Sequence, residues 1–234
     1  MHTVSNPLQA CKDIFLRPNG VFRALAAKDN WSWFPFIIVA VVSVLPNYAY
    51  LNTVDFDWYR DLLITAQYDQ ISPAEQDQIR AQLTPQSVLV FATVATVLGY
   101  IIINAIVAAY LNIVTRSDEQ NVHGYMDWYG FSWWTAMPVV VNCLLALVLM
   151  MFTSNPQTSP NILTPLSAAF VFGIEMDSPY HNFAQAIRLD SFWSIYLTIV
   201  GISQWTSFSV KKAAVIAITP YALIWGLWLI VLAL

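Results

Sequence analysis

Charge is what this chain most lacks: Asp, Glu, Lys and Arg make up 10% of its 234 residues, against about 25% in an average globular domain. With 58% hydrophobic residues and a mean hydropathy of +0.56, the composition is that of a membrane protein. Glycine is scarce as well, at 7 residues, which leaves little material for a phosphate-cradling loop. No GxxxxGK, GxGxxG, GxSxG or HExxH run occurs, so the chain is expected to be non-enzymatic and to need no cofactor. The two cysteines, Cys11 and Cys143, lie in a polar leader and in an apolar run, which excludes CxxC chemistry and makes both structural. A net charge of -4, scattered along the chain, excludes nucleic acid as a partner. No short h-region with a small-residue cleavage site precedes the first apolar run, so the N-terminus is expected to remain in the mature protein.

What is present in quantity is apolar sequence. Five stretches, about 33–53, 87–115, 128–152, 191–210 and 213–234, satisfy the need for about 20 predominantly apolar residues in a spanning helix. The expected fold is all-α, a five-transmembrane-helix bundle with short interfacial and extracytoplasmic helices, divided into a leader (1–32) and a membrane domain (33–234). Only Lys211 and Lys212 interrupt the last two stretches, which predicts a tight turn whose lysines reach the headgroups. Lys12, Arg17, Arg23 and Lys28 precede the first span, Arg116 follows the second, and Arg60, Arg80 and Arg188 fall in the intervening segments. The positive-inside rule then places the N-terminus in the cytoplasm and the C-terminus outside.

In the leader, Leu8, Ile14, Phe15, Val21, Phe22 and Leu25 recur at helical spacing among the basic residues. This suits a helix on the inner leaflet or one packed on the bundle, split into two pieces by Arg17-Pro18-Asn19-Gly20. The segment 54–86 carries Asp55, Asp57, Asp61, Asp69, Glu75 and Asp77, and is read as a solvated, largely helical region. Ser72-Pro73-Ala74-Glu75 supplies a capping box, and Thr84-Pro85 stops the helix. Between 153 and 190, Ser154–Pro160 reads as a loop. Residues 162–174 are apolar but too short to span, so they are expected to be re-entrant or interfacial, followed by a short helix begun by Ser178-Pro179.

The spans hold no Asp, Glu, Lys, Arg or His, which removes the usual proton relay of a pump. Amides remain: Asn47, Asn104 and Asn142 near the middle of three spans, with Asn112 two turns beyond Asn104. They form either helix-to-helix glue or a polar path. Pro46, Pro138 and Pro220 interrupt three spans. Ala95/Gly99, Ser203/Ser207 and Ala213/Ala217 have the small-xxx-small spacing of close helix packing. Glu175, Asp177, His181 and Asp190 mix oxygen and imidazole donors and are a candidate metal set, although Asp177 also suits a helix start and His181 an exposed first turn. His123 reads as a solvated loop residue.

Asn6-Pro7 in a basic leader, the acidic helical loop, five spans, "YMDWYGFSWWTAMP" (125–138) and "LDSFWSIYLTIVGISQWTSFSVKKAAV" (189–215) together resemble the Ypt-interacting protein (Yip) domain family in its bacterial branch. The resemblance covers nearly the whole chain. It implies a multi-pass bacterial inner-membrane protein, and it supplies no catalytic residue. Eukaryotic members act in membrane trafficking and associate with small GTPases and with one another. Here the leader lacks a DLYGP-like element, and "DWYG" (127–130) lies before the third span instead, so GTPase binding does not carry over. Two functions are therefore expected. One is a scaffold that self-associates or binds a membrane or cytoplasmic protein, with Lys12, Arg17, Arg23, Lys28, Lys211 and Lys212 as its cytoplasmic interface. The other is a transporter, channel or lipid-moving protein with a path past Asn47, Asn104, Asn112 and Asn142. Expected partners are the lipid bilayer, a second copy of the chain or another protein.

Overall fold

The computed structural model describes residues 4–28, 30–68 and 70–234. Asp69 of the acidic segment and Asp29 of the leader lie outside the described residues. The described chain is all α-helical, with no strand and a single isolated bridge between Ser167 and Arg188. It forms two compact units, one of residues 1–41, 99–141 and 189–234 and the other of residues 42–98 and 142–188.

The first unit opens with α1 (Pro7–Leu16) and α2 (Pro18–Leu25). Asn6 caps α1 by accepting the Gln9 amide, and the leader breaks at Arg17 alone, because Pro18 is suited to the first position of a new helix. Of the two settings expected for the leader, packing on the bundle is realised. Ala10, Ile14, Val21 and Phe22 are completely buried, and α2 lies along α12 (Leu189–Trp205). The Trp205 indole donates to the Phe22 carbonyl at 2.8 Å. Beside it the Phe131 ring lies tilted against both Phe22 and Trp205 with centroids 5.0 Å away, and Trp128 adds its ring at 5.2 Å from Trp205. Trp128 and Phe131 come from α8 (Tyr125–Thr135). The indole N–H groups of Trp128, Trp133 and Trp134 meet no acceptor among the described residues, so ring packing and apolar burial carry this cluster.

Among the described residues, four segments are long and apolar enough to cross a membrane: Trp33–Thr53, Pro85–Ser117, Tyr125–Met151 and Val210–Ala233. The first is two helices, α3 (Trp33–Val42) and α4 (Leu45–Thr53), broken ahead of Pro46. The third is α8 followed by α9 (Pro138–Met151), broken ahead of Pro138. The second is dominated by the unbroken α7 (Pro85–Val114) and the fourth is α13 (Val210–Ala233). The stretch expected as a further span, 191–210, is a 17-residue helix, about 25 Å long against a hydrocarbon core of about 30 Å. It stops at Trp205 because residues 206–209 leave the helix to make the turn into α13. The turn therefore precedes the lysines, and Lys211 and Lys212 stand in the first turn of α13.

Pro220 sits inside α13 without breaking it. Its missing N–H leaves the Ile216 carbonyl without the usual helical donor, and the Tyr110 hydroxyl of α7 donates to that carbonyl at 2.9 Å. Of the small-residue pairs, Ala213 and Ala217 are buried as close packing requires, whereas a Cβ at Gly99 would meet nothing within 4 Å.

The second unit contains α5 (Phe56–Tyr68), α6 (Pro73–Gln82), α10 (Ala168–Val171) and α11 (His181–Ala186). Ser72 and Glu75 close the expected capping box in both directions, and the hydrogen bonds from Ser72 hold the Glu75 carboxyl below the usual range. No residue of α6 is buried, and Arg80 pairs with Asp61 of α5. Residues 162–174 form no continuous helix: a 3-10 turn, Pro160–Leu163, and the four-residue α10 are separated by residues 164–167.

In the first unit, a Cβ at Gly201 would lie 2.2 Å from Phe131 and 2.9 Å from Phe22. Gly201→Ala is therefore expected to destabilise the protein by about 1–3 kcal/mol, the usual cost of overpacking, read as a lower unfolding midpoint in detergent. Gly226→Ala, with nothing within 4 Å, is expected to leave the midpoint unchanged.

Candidate functional site

The charged surface of the first unit is built from the leader and the turn before α13. Lys12, Arg17, Arg23 and Lys28 are all exposed, as are Arg116, Lys211 and Lys212. Burial reaches the thiol beside them, pushing Cys11 up to about 11, which keeps it protonated and unreactive. Two lysines in the first turn of a helix face the positive end of its dipole, an unfavourable place. Asp118 offsets this. Its carboxylate accepts the Ser207 amide at 2.6 Å and the Ser207 hydroxyl at 2.7 Å, and the Gln120 amide at 3.1 Å. The Ser207 bonds foremost, with the Gln120 amide and the Lys212 charge, hold the Asp118 carboxyl below the usual carboxylate range. The Ser209 hydroxyl caps the helix by accepting the Lys212 amide. The Lys212 ammonium lies 3.4 Å above the Phe208 ring centroid and 3.4 Å from the Ser117 hydroxyl. Lys212 is thus positioned by its neighbours, while Lys211 has no such contact among the described residues.

His123 differs from the solvated residue expected. It is half-buried and stacks on Trp205 with centroids 4.1 Å apart and an interplanar angle of 25°. Burial lowers its pKa, with Asp127 opposing the shift. A histidine whose folded pKa is depressed binds fewer protons than the unfolded chain, so its contribution to stability weakens as pH falls below about 6.5.

The four amides of the apolar stretches divide between the units and find separate settings. In the first unit, Asn104 is buried and donates to the Tyr100 carbonyl one turn back on its own helix at 2.8 Å, and Asn112 is half-buried. In the second unit, Asn47 is half-buried, and Asn142 is buried and clamps the 160–187 segment from both ends of its carboxamide. It donates to the Leu163 carbonyl at 3.3 Å and accepts the Leu166 amide at 3.2 Å. These bonds tie the end of the 3-10 turn at Leu163 to the non-helical residues before α10, where backbone groups have no helical partner.

The same segment explains His181. The ring is buried rather than exposed, and its Nε2 lies 2.8 Å from Asn161 Oδ1. Gln185 donates to the same oxygen at 3.3 Å, and Asn161 Nδ2 donates to the Ile174 carbonyl at 2.8 Å. Gly173, in the left-handed region at φ 63°, ends α10 and turns the chain there, a conformation that favours glycine. Glu175 and Asp177 are exposed, and Asp190 is buried in the first unit. Among the described residues no three His, Cys, Asp or Glu side chains gather as a metal-binding group. Asp118, Asn161 and Tyr110 were not singled out by the sequence. The legible clues are the acid that follows Ser117 in a short polar loop for Asp118 and a Ser-Pro turn start for Asn161, while no local pattern marks Tyr110.

Two substitutions test these arrangements. Asn142→Leu leaves the Leu163 carbonyl and the Leu166 amide without their partner, and is expected to cost about 1–3 kcal/mol in an unfolding titration. For Asp118 the folded pKa is depressed, so its contribution is present above the ordinary carboxylate value of about 3.9 and lost as pH falls through the lower folded value. The protection factor of the Ser207 amide, which corrects for the pH dependence of intrinsic exchange, is therefore expected to stay high at neutral pH and to fall only in acid, whereas Asp118→Ala is expected to lower it at both.

The apolar helices make this a multi-pass membrane protein by length and composition. No curated protein and no solved structure matches the chain. The family model of the Yip1 domain matches residues 12–233, which takes in the leader from Lys12, the Asp118–Ser207 tie and all four candidate spans, and the chain belongs to the Yip1 domain family.

Proposed function

We propose that the protein is a non-enzymatic membrane scaffold of the bacterial inner membrane that self-associates or holds a membrane or cytoplasmic protein partner. In this reading the N-terminus is cytoplasmic, the short α12 completes a set of five membrane helices, and the C-terminus lies outside. The basic surface around Lys12, Arg17, Arg23, Lys28, Lys211 and Lys212 then faces the cytoplasm, in keeping with the positive-inside rule. The observation that carries the reading is how the amides are used. Asn142 is committed to the backbone at Leu163 and Leu166, and Asn104 to the carbonyl of Tyr100. Asn142 thereby acts as glue between remote segments, a role that in membrane bundles contributes about 0.6 kcal/mol per bond, Asn104 is satisfied within its own helix, and both are unsuited to exchanging partners with a passing solute.

The competing reading, a transporter, channel or lipid-moving protein with a path past Asn47, Asn104, Asn112 and Asn142, makes the opposite prediction about water. Single cysteines at Asn47, Asn104 and Asn142, in a chain whose Cys11 and Cys143 are replaced by alanine, are to be labelled with a water-soluble maleimide in intact membranes. The scaffold is expected to give no labelling at any of the three in protein that remains folded, with the Asn142→Cys chain carrying the lower midpoint that loss of its carboxamide implies. Rapid labelling at these positions, with lipid-facing Ile103 and Ile106 converted to cysteine and unreactive, would overturn it in favour of a hydrated path.

A further inference from the structure

Packing α1 and α2 on the first unit leaves an outer face. Leu8, Lys12 and Leu16, four residues apart, form one stripe along α1. The two leucines are 69% and 68% exposed, among the most water-accessible apolar side chains outside the candidate spans. Arg17, Arg23 and Lys28, further along the leader, are exposed as well. Asp13, the leader's carboxylate among the described residues, is on the buried side, where Gln9 donates to it at 3.2 Å. The outer face thus combines two protruding leucines with four cations and presents no described carboxylate.

We infer that this face is a docking surface for anionic lipid: the leucines of α1 enter the headgroup boundary of the leaflet while Lys12, Arg17, Arg23 and Lys28 engage its negative headgroups. Three observations select lipid as the occupant. Charge is complementary, since cations on a helix with apolar neighbours are attracted to an anionic leaflet. Reach is short, since α2 ends at Leu25 and α3 begins at Trp33. Eight residues span at most about 29 Å, so the leader cannot leave the bilayer into which α3 leads. Orientation is restrained as well, because Trp205 holds the Phe22 carbonyl and Gln204 donates to Asn19 at 3.2 Å, so the outer stripe is presented without a search over leader conformations. The inference rests on the scaffold reading only in taking residues 1–32 as a leader beside the membrane, and it names what that leader's outer face binds.

The test uses the full chain in vesicles, with Cys11 and Cys143 replaced by alanine and Leu16→Cys carrying a nitroxide. Collision of the nitroxide with oxygen, which partitions into lipid, and with a water-soluble nickel chelate is compared in phosphatidylcholine vesicles with and without phosphatidylglycerol. Phosphatidylglycerol is expected to lower nickel collision and raise oxygen collision several-fold. Raising salt from about 0.1 M to about 1 M, which shortens the screening length from about 10 Å to about 3 Å, is expected to reverse the change. Replacing Lys12, Arg17, Arg23 and Lys28 together by glutamine is expected to abolish it; all four are exposed, so the fold is retained. Equal collision rates with and without phosphatidylglycerol would overturn the inference. So would a label open to nickel in every vesicle, the result expected if the surface serves an acidic protein instead. Because the vesicles contain only this chain and lipid, either negative result leaves the scaffold reading standing, whereas maleimide labelling of the amide positions would sink that reading without touching this one.

Discussion

The arrangement of the first unit depends on one close approach. At Gly201 the missing side chain admits Phe22 and Phe131 to the surface of α12, and one turn further on the Trp205 indole holds the Phe22 carbonyl. Dispersion attraction falls away with small gaps, so the ring cluster exists only because α2 and α8 both reach α12 at that point. The consequences spread outward. The leader becomes part of the packed unit, its apolar stripe is buried, its cations are turned to the surface, and His123 finds Trp205 to stack on.

A second constraint follows from the shortage of charge. Apolar surroundings penalise any unpaired backbone group, and at three irregularities this chain meets that demand with single neutral side chains. Tyr110 serves the carbonyl released by Pro220, Asn142 serves the unwound residues before α10, and Asn161 serves the turn at Gly173. Where an ion is used, outside the spans, it is similarly engaged: Asp118 collects donors from the turn that joins α12 to α13. Single polar side chains thus hold the backbone at these points, while Lys12, Arg17, Arg23, Lys28 and Lys211 stay exposed on the first unit.

Much of this was legible before any coordinates. Ser72 to Glu75 spelled out a helix start, Pro18 the break in the leader, and Thr84-Pro85 the boundary before α7, because caps and prolines act through residues only a few positions away. The lysines were misplaced by a few residues for the same reason. They were the only visible interruption in an apolar run, whereas the actual turn is made by Thr206 to Ser209, residues that suit a membrane helix equally well. Polar residues in short segments are usually exposed, so local sequence points to solvent for both His123 and His181. Each was buried by a partner remote in sequence, Trp205 for the one and Asn161 for the other.

By itself, then, the sequence determined the membrane class, the family, the helical content and the punctuation of most helices, since all of these follow from composition and from interactions within a turn or two of chain. Tertiary structure alone decided which polar groups are spent and which are free. Asp118 and Ser207 are separated by 89 positions, Phe22 and Trp205 by 183. Pairing over such separations is set by how helices pack, and packing depends on shape at single positions such as Gly201, where no local pattern distinguishes a close approach from open lipid.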